Sequence, residues 1–262
     1  MQPVPLSKGK RRARSAIKRF LYAQLLIKDA FMVAIGRGKP LVRFTVENDP
    51  PSAYLNFAIR PDQVAAFEDY IAVPMPLAPM ACIAGDEPYF CLTLNMYRVS
   101  GLAFGIRAEW STYVLDDDGI PRYMVVEAEC EKGTLDSVDL FTVKGLAEYE
   151  VLADGIRLRC GGERGTECRA QLPLPPTDAP VHADPMWVTA NDFIYWRNGV
   201  CDRTFYDAGL ANPRMQAIDP ATVAIDDLGH WTPFLDPLPR SVVAFQDPIT
   251  FAMSPWWNID EL

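Results

Sequence analysis

The chain has 262 residues, of which 49% are hydrophobic, 11% aromatic and 23% charged, with a formal net charge of −9. This is globular composition, which sets aside disordered, collagen-like and low-complexity classes. No apolar run reaches the roughly 18 residues of a membrane span. The best stretch, 21–35, is broken by Gln24, Lys28 and Asp29.

The charge is unevenly spread. Residues 1–40 carry ten Lys or Arg against the single acid Asp29, so the remaining 222 residues carry −18. An acidic body repels nucleic acid, and no nucleic-acid partner is expected. Residues 15–35 read as an amphipathic helix, with Ile17, Phe20, Leu21, Leu25 and Ala30 near helical spacing and Lys18, Arg19 and Lys28 off that face. Two readings stay open for it: a targeting or membrane-surface helix, or a surface helix packed on the body or on a partner subunit. The segment 1–40 is thus set apart from a single β-rich domain over 41–262.

From residue 41 the pattern changes to strands and turns. β-Branched and aromatic residues with partial alternation mark strands over 41–46, 54–59, 89–99, 108–115 and 122–128. Pro61, Asp62 and the apolar set Val64, Ala65 and Phe67 predict a short helix over 62–70. Asp117-Asp118-Gly119 predicts a hairpin turn, and a second hairpin joins 146–152 to 155–160 around Asp154-Gly155. The connection bearing Pro173, Pro175, Pro176 and Pro180 cannot be a central strand. Residues 185–210 read as an aromatic-rich helix or loop, and 241–253 as one closing strand. The expected class is α+β, mostly antiparallel β, closed into a barrel or sandwich with short peripheral helices and the N-terminal amphipathic helix.

The six cysteines form no CxxC pair and no cleavable signal peptide is read ahead of them, so reduced thiols and a cytoplasmic setting are expected. With two histidines, His182 and His230, a metal site would lean on scattered cysteines or carboxylates, and none is expected. No GxSxG, Walker loop, HExxH or GxGxxG is present, so no cofactor is expected either.

Chemistry concentrates in a few polar residues set among apolar ones. Arg107 and Glu109 are two apart on a strand and project from one face. Turned inward, they pair a carboxylate with a guanidinium in a tuned site; turned outward, they form a surface salt bridge. Lys144, between Val143 and Gly145, is a second candidate, since desolvation frees its amine as a nucleophile. The bland alternative is a solvated strand-end lysine, and the acids Asp136, Asp139 and Glu148 raise a nearby lysine pKa. Lys132 reads as a turn charge. Tyr97, Tyr113, Trp187 and Trp196 are candidate substrate-lining aromatics, with the hydrophobic core as the alternative place for such rings.

The order of these motifs over residues 54–152 resembles the acetoacetate decarboxylase family. Tyr54-Leu55-Asn56-Phe57-Ala58-Ile59-Arg60-Pro61-Asp62, a short helix and Val73-Pro74-Met75-Pro76-Leu77 are similar to that family's opening strand, helix and VPEPL turn. Leu92-Thr93-Leu94-Asn95-Met96-Tyr97 and then Gly101 to Glu109 resemble its strand, glycine loop and catalytic glutamate, which falls on Glu109. The hairpin at Asp118-Gly119 and the strand from Arg122 follow in order.

The resemblance implies that the Schiff-base lysine falls on Lys144 if Leu146-Ala147 anchors the alignment, and on Val143 if Phe141 does. One lysine of the family's pair is absent in either case. Ser52 stands where the family has an arginine, and Gly133-Thr134-Leu135-Asp136 replaces a Gly-Arg-Glu signature. These departures point away from plain β-keto acid decarboxylation. What the resemblance implies is an enzyme for a small carbonyl, keto-acid or aromatic carbonyl substrate. Its chemistry would be lyase-type (decarboxylase, aldolase/dehydratase or cyclase), with Glu109 moving protons, Arg107 holding an anion and Lys144 forming an imine. It also implies a homo-oligomer. A non-catalytic small-molecule binder on the same barrel is the alternative.

Overall fold

A computed structural model describes residues 42–47, 51–83, 85–100, 105–115, 119–131, 146–161, 168–173, 192–197, 200–208, 215–245 and 249–253. The expected N-terminal helix lies outside them. The strands are β1 (Val42–Glu47), β2 (Ser52–Ala58), β3 (Cys91–Ser100), β4 (Gly105–Leu115), β5 (Pro121–Cys130), β6 (Leu146–Val151) and β7 (Gly155–Gly161). They continue with β8 (Cys168–Pro173), β9 (Asp192–Arg197), β10 (Val200–Ala208), β11 (Met215–Ile218), β12 (Ala224–Leu228), β13 (Ser241–Phe245) and β14 (Ile249–Met253). Helix α1 (Val64–Ile71) follows a 3-10 turn begun by Pro61, and a further 3-10 turn spans Gly229–Trp231.

Ten strands form one sheet in the order β1-β14-β10-β9-β5-β4-β3-β2-β13-β11, and β12-β8-β7-β6 form a second. All pairings are antiparallel except β5 with β9, where Tyr123 faces Phe193. A parallel pair needs a long crossover. Here the chain between β5 and β9 makes that crossover, building β6, β7 and β8 on the way. β1 also pairs with the far end of β3 (Thr45 with Ser100, Glu47 with Arg98), so the ladder running from β3 through β14 to β1 returns to β3. No closed barrel takes in the whole sheet. β2, β13 and β11 continue outward from β3, and among the described residues β11 pairs only with β13.

The two faces of the large sheet bury different chemistry. Along β2, β3 and β4 one face carries Leu55, Phe57, Leu92, Leu94, Met96, Ala108, Trp110 and Val114, packed in one apolar core with Phe67 and Ile71 of α1 and with Ile156, Leu158, Ala170 and Leu172 of the second sheet. The helix turns this stripe inward and ends at Ala72, which takes a left-handed conformation (φ 51°) and donates its N–H to the Glu68 carbonyl. Gly155 serves packing beyond its turn. A Cβ there would meet the Leu172 carbonyl oxygen at 2.2 Å, so β7 and β8 approach closely only because the side chain is missing.

Two expectations are corrected. The aromatic stretch 185–210 holds two strands where a helix or loop was expected. Arg197 pairs with Val200, so β9 and β10 form a hairpin whose two linking residues are Asn198 and Gly199. The span 241–253 is two strands. β13 pairs with β2 and β14 with β1 and β10, and Pro248, which lacks a ladder donor, falls between them. The hairpins at Gly119 (φ 72°) and around Asp154-Gly155 lie where expected.

Candidate functional site

The other face of β2, β3, β4 and β5 is lined with polar groups and is buried as well. Strand residues alternate between faces, so residues two apart share one. In register across the sheet, Tyr54 lies opposite Asn95, Asn95 opposite Glu109, and Glu109 opposite Ala128. The row beside it places Tyr97 opposite Arg107. On the far side Asn56 lies opposite Thr93, and Thr93 opposite Ser111. A β-bulge in β5, between the partners of Trp110 and Ser111, keeps Tyr113 opposite Tyr123 on this face.

Arg107 Nε donates to Glu109 Oε1 at 2.5 Å, and each residue is only 4% exposed. The surface salt-bridge alternative is thereby set aside. A buried charge survives only when paired, and here the pair is a charge-assisted hydrogen bond between neighbours on one strand. Thr93 Oγ1 donates to Asn56 Oδ1 (2.7 Å), and Asn56 Nδ2 donates to Ser241 Oγ (3.1 Å), fixing the floor beside the pair.

Burial, then the Glu109 carboxylate, push the Tyr54 and Tyr123 hydroxyls above the ordinary tyrosine range. For Tyr97 the same two causes act, and Arg107 offsets part of the rise. The Asn95 side chain offsets part of the rise at Tyr54 and Tyr123, and its own Oδ1 accepts no hydrogen bond from the described residues. The Tyr113 ring stands edge-on to Tyr123 at 5.4 Å, and burial raises its pKa as well.

Of the residues singled out from sequence, Arg107, Glu109, Tyr97 and Tyr113 therefore share one buried face. Trp196 lies in β9 opposite Cys201. Lys144 and Trp187 lie outside the described residues. Sequence reasoning passed over Tyr54, Asn95 and Tyr123. Their signal was the alternation itself, Ser52-Tyr54-Asn56 and Thr93-Asn95-Tyr97, which reads as a solvent face until the fold covers it. Cys82, Cys91, Cys160 and Cys168 are buried free thiols, and their pairing with Cys82 and with Cys168, together with burial, pushes the Cys91 and Cys160 thiols up, away from thiolate chemistry. Among the described residues no group of three or more His, Cys, Asp or Glu is arranged to hold a metal ion, and no helix is long and apolar enough to cross a membrane. His230 pairs with Glu127 at 2.9 Å, but Glu127 falls on the opposite face, opposite Trp110.

The tyrosines carry a testable pH dependence. Their folded pKa values lie above the unfolded value near 10, so the protonated form is favoured in the folded state. That contribution is intact below pH about 10 and is lost as pH rises toward the folded values. Stability is expected to fall as pH rises above about 10, with Tyr97, Tyr113 and Tyr123 each contributing to the loss. Urea denaturation from pH 8 to 11.5, with tyrosinate absorbance followed in parallel, checks this. Ionisation of these rings without unfolding would contradict it.

No protein-family model matches the chain, and no curated protein matches it in sequence. Its structure is similar to acetoacetate decarboxylase from Legionella pneumophila, at 11% identity over 83% of this chain and 87% of that one, with a TM-score of 0.51. A second acetoacetate decarboxylase aligns at 12% identity over 82% and 88% of the two chains, with a TM-score of 0.48. An acetoacetate decarboxylase-like enzyme from Sphingomonas wittichii aligns at 9% identity over 81% and 89%, with a TM-score of 0.47. The first of these carries the fold: mostly antiparallel sheets with few helices, arranged as in an acetoacetate decarboxylase.

Proposed function

We propose that the protein is an enzyme acting on a small carbonyl, keto-acid or aromatic carbonyl compound by lyase-type chemistry, with Glu109 as its proton-transfer group. The observation that carries this reading is the Arg107–Glu109 pair, shut away from water on a tyrosine-lined face of a fold shared with acetoacetate decarboxylase. A carboxylate costs too much to bury for packing alone, and the guanidinium beside it supplies the opposite charge that such burial requires. General acid–base help of this kind contributes about 10²–10⁴ in rate. In this reading Arg107 holds the developing negative charge, Tyr97 and Tyr113 line the substrate, and the circuit of strands from β3 through β14 and β1 acts as the wall of a barrel-like chamber. Trp187 and Trp196 complete the lining, and the chain works in the cytoplasm as a homo-oligomer without metal or cofactor.

Lys144 is the proposed imine-forming residue. Its amine attacks the substrate carbonyl carbon, the oxygen leaves as water, and the resulting iminium draws electrons from the adjacent carbon. Incubation with a small keto acid and sodium borohydride is expected to leave a reduced adduct on Lys144, read by peptide mass spectrometry. An unmodified Lys144 removes the imine and leaves acid–base catalysis alone.

The second reading, a small-molecule binder on the same fold, draws on one sequence fact: Gly145 or Val143 stands where the family has its second lysine. Retention of ligand affinity in Glu109→Gln, with no turnover to lose in the parent chain, decides for it.

A further inference from the structure

We propose that Cys82 with Cys91, and Cys160 with Cys168, are two dithiol pairs that a small disulfide oxidant converts to intrachain disulfides, one at the polar face and one in the apolar layer. This stands apart from the reading of Glu109 and Lys144 and needs neither.

These four buried cysteines meet in twos. Cys82 Sγ–H donates to Cys91 Sγ across 3.9 Å, and the two residues are 0% and 1% exposed. Closing that contact by about 2 Å gives the S–S bond of about 2.05 Å. Cys160 of β7 stands directly opposite Cys168 of β8 in the antiparallel register. Such partners have Cα atoms about 4.5 or 5.5 Å apart, inside the span of roughly 4.4–6.8 Å that a disulfide bridges. Packing alone gives no reason to seat one cysteine against another, since a buried thiol behaves as a small hydrophobe.

The pairs occupy different layers. Cys160 and Cys168 belong to the apolar cluster with Ile156, Leu158 and Ala170. Cys91 opens β3 on the face of Thr93 and Asn95, and its carbonyl accepts from Thr112 Oγ1 at 2.7 Å. Cys82 precedes it in the segment that Met80 and Tyr89 close with two backbone hydrogen bonds of 3.0 and 3.2 Å. A bond from Cys82 to Cys91 therefore sets a covalent closure beside a hydrogen-bonded one, at the start of the strand that places Asn95 opposite Glu109.

The exchange balances once the oxidant is named. One thiol of a pair loses its proton, and its sulfur attacks a sulfur of the small disulfide. A mixed disulfide forms and one small thiolate leaves. The second thiol loses its proton and attacks the protein sulfur of that mixed disulfide, and the other small thiolate leaves. The protein gives up two protons and two electrons, and the oxidant is reduced to two thiols. The neighbouring thiol, and then burial, push Cys91 and Cys160 up, so the first attack is slow. The second is fast, because the partner sulfur is already adjacent. The pairs thus answer sustained oxidation and stay reduced through brief exposure.

The test uses the full native chain and glutathione disulfide at mildly alkaline pH. After prolonged incubation, remaining thiols are blocked with N-ethylmaleimide and the peptides are mapped without reduction. Trypsin cuts after Arg164, and chymotrypsin after Tyr89 or Phe90, so each pair has a cleavage site between its members. Two links are expected, Cys82 to Cys91 and Cys160 to Cys168, each lighter than the reduced peptides by two hydrogens and each released by dithiothreitol. They are expected to exceed any other link at least about tenfold, whereas the same chain oxidised in urea gives mixed links. Cys82→Ala is expected to lose the first link and keep the second, and Cys168→Ala the reverse, with circular dichroism reporting the fold of each.

A native chain that keeps all four thiols, under conditions that oxidise the urea-unfolded chain, overturns the proposal. So does a stable glutathione adduct in place of a link, or a link from any of the four to Cys130 or Cys201. One named link without the other overturns it for the pair that fails.

Discussion

Glu109→Gln is expected to lower turnover by about 10²–10⁴ and to destabilise the fold by about 3 kcal/mol, in the range for breaking a buried ion pair. The stability loss follows from what is left behind. With Glu109 neutral, the 4%-exposed Arg107 guanidinium loses the carboxylate that accepts from its Nε, and removing one partner of a buried ion pair costs several kcal/mol. The glutamine amide oxygen still accepts from Nε, which keeps the loss toward the lower end. Arg107→Met strands the carboxylate in the same way and is expected to cost about 3–5 kcal/mol.

The double variant Arg107→Met/Glu109→Leu removes both charges and fills the space with apolar atoms. It is expected to be more stable than either single variant, because the favourable pairing of a buried ion pair is largely offset by desolvation. A urea series on the four proteins gives the coupling directly. If each single variant stayed within about 1 kcal/mol of the parent, the pair would be behaving as a surface salt bridge, and the catalytic role of Glu109 would lose its basis.

How far the chain could be read in advance depends on what kind of signal each feature leaves. The hairpin at Gly119, the helix after Pro61 and the strand containing Glu109 were legible because local chemistry fixes them: positive φ at glycine, a proline in the first turn, alternation along β4. The β9–β10 hairpin was equally local. Asn198-Gly199 between β-forming runs is the strongest short hairpin signal there is, but the density of aromatic rings drew attention from it. The split of 241–253 was announced by Pro248 and passed over for a similar reason.

The face that buries Asn56, Thr93, Asn95 and Ser111 left no such mark. Polar residues alternating with Leu55, Leu92 and Leu94 are what a half-exposed strand carries, and only the tertiary fold buries both sides of these strands. The acetoacetate decarboxylase-like arrangement was recognisable from motif order because order outlasts identity, which stands at 11%.

The apolar layer behind the sheet supports a second large effect, and one that tests the two-faced architecture. Phe67→Ala is expected to destabilise the protein by about 3–5 kcal/mol, the usual cost of emptying a phenylalanine site that cannot collapse. Phe67 is fully buried and stands 5.8 Å from the Trp231 ring and 5.6 Å, edge-on, from Phe234, while Trp231 stacks onward at 5.8 Å to Trp110 of β4. These rings tie α1 and the Gly229–Trp231 turn to the back of the strand that carries Glu109.

Removal of one ring from such a set also forfeits aromatic contacts worth about 0.5–1.5 kcal/mol each. For a domain of this size the melting temperature is expected to drop by roughly 6–20 °C. Glu109 faces the other side of the same sheet. The two substitutions share no side-chain partner, so Phe67→Ala and Glu109→Gln are expected to add to within about 0.5 kcal/mol, and Phe67→Ala leaves kcat unchanged at temperatures where it is folded. A coupling of 1 kcal/mol or more would mean that the aromatic layer and the polar face are a single cooperative unit, and the separation of core from site drawn from the alternation of β4 would fail.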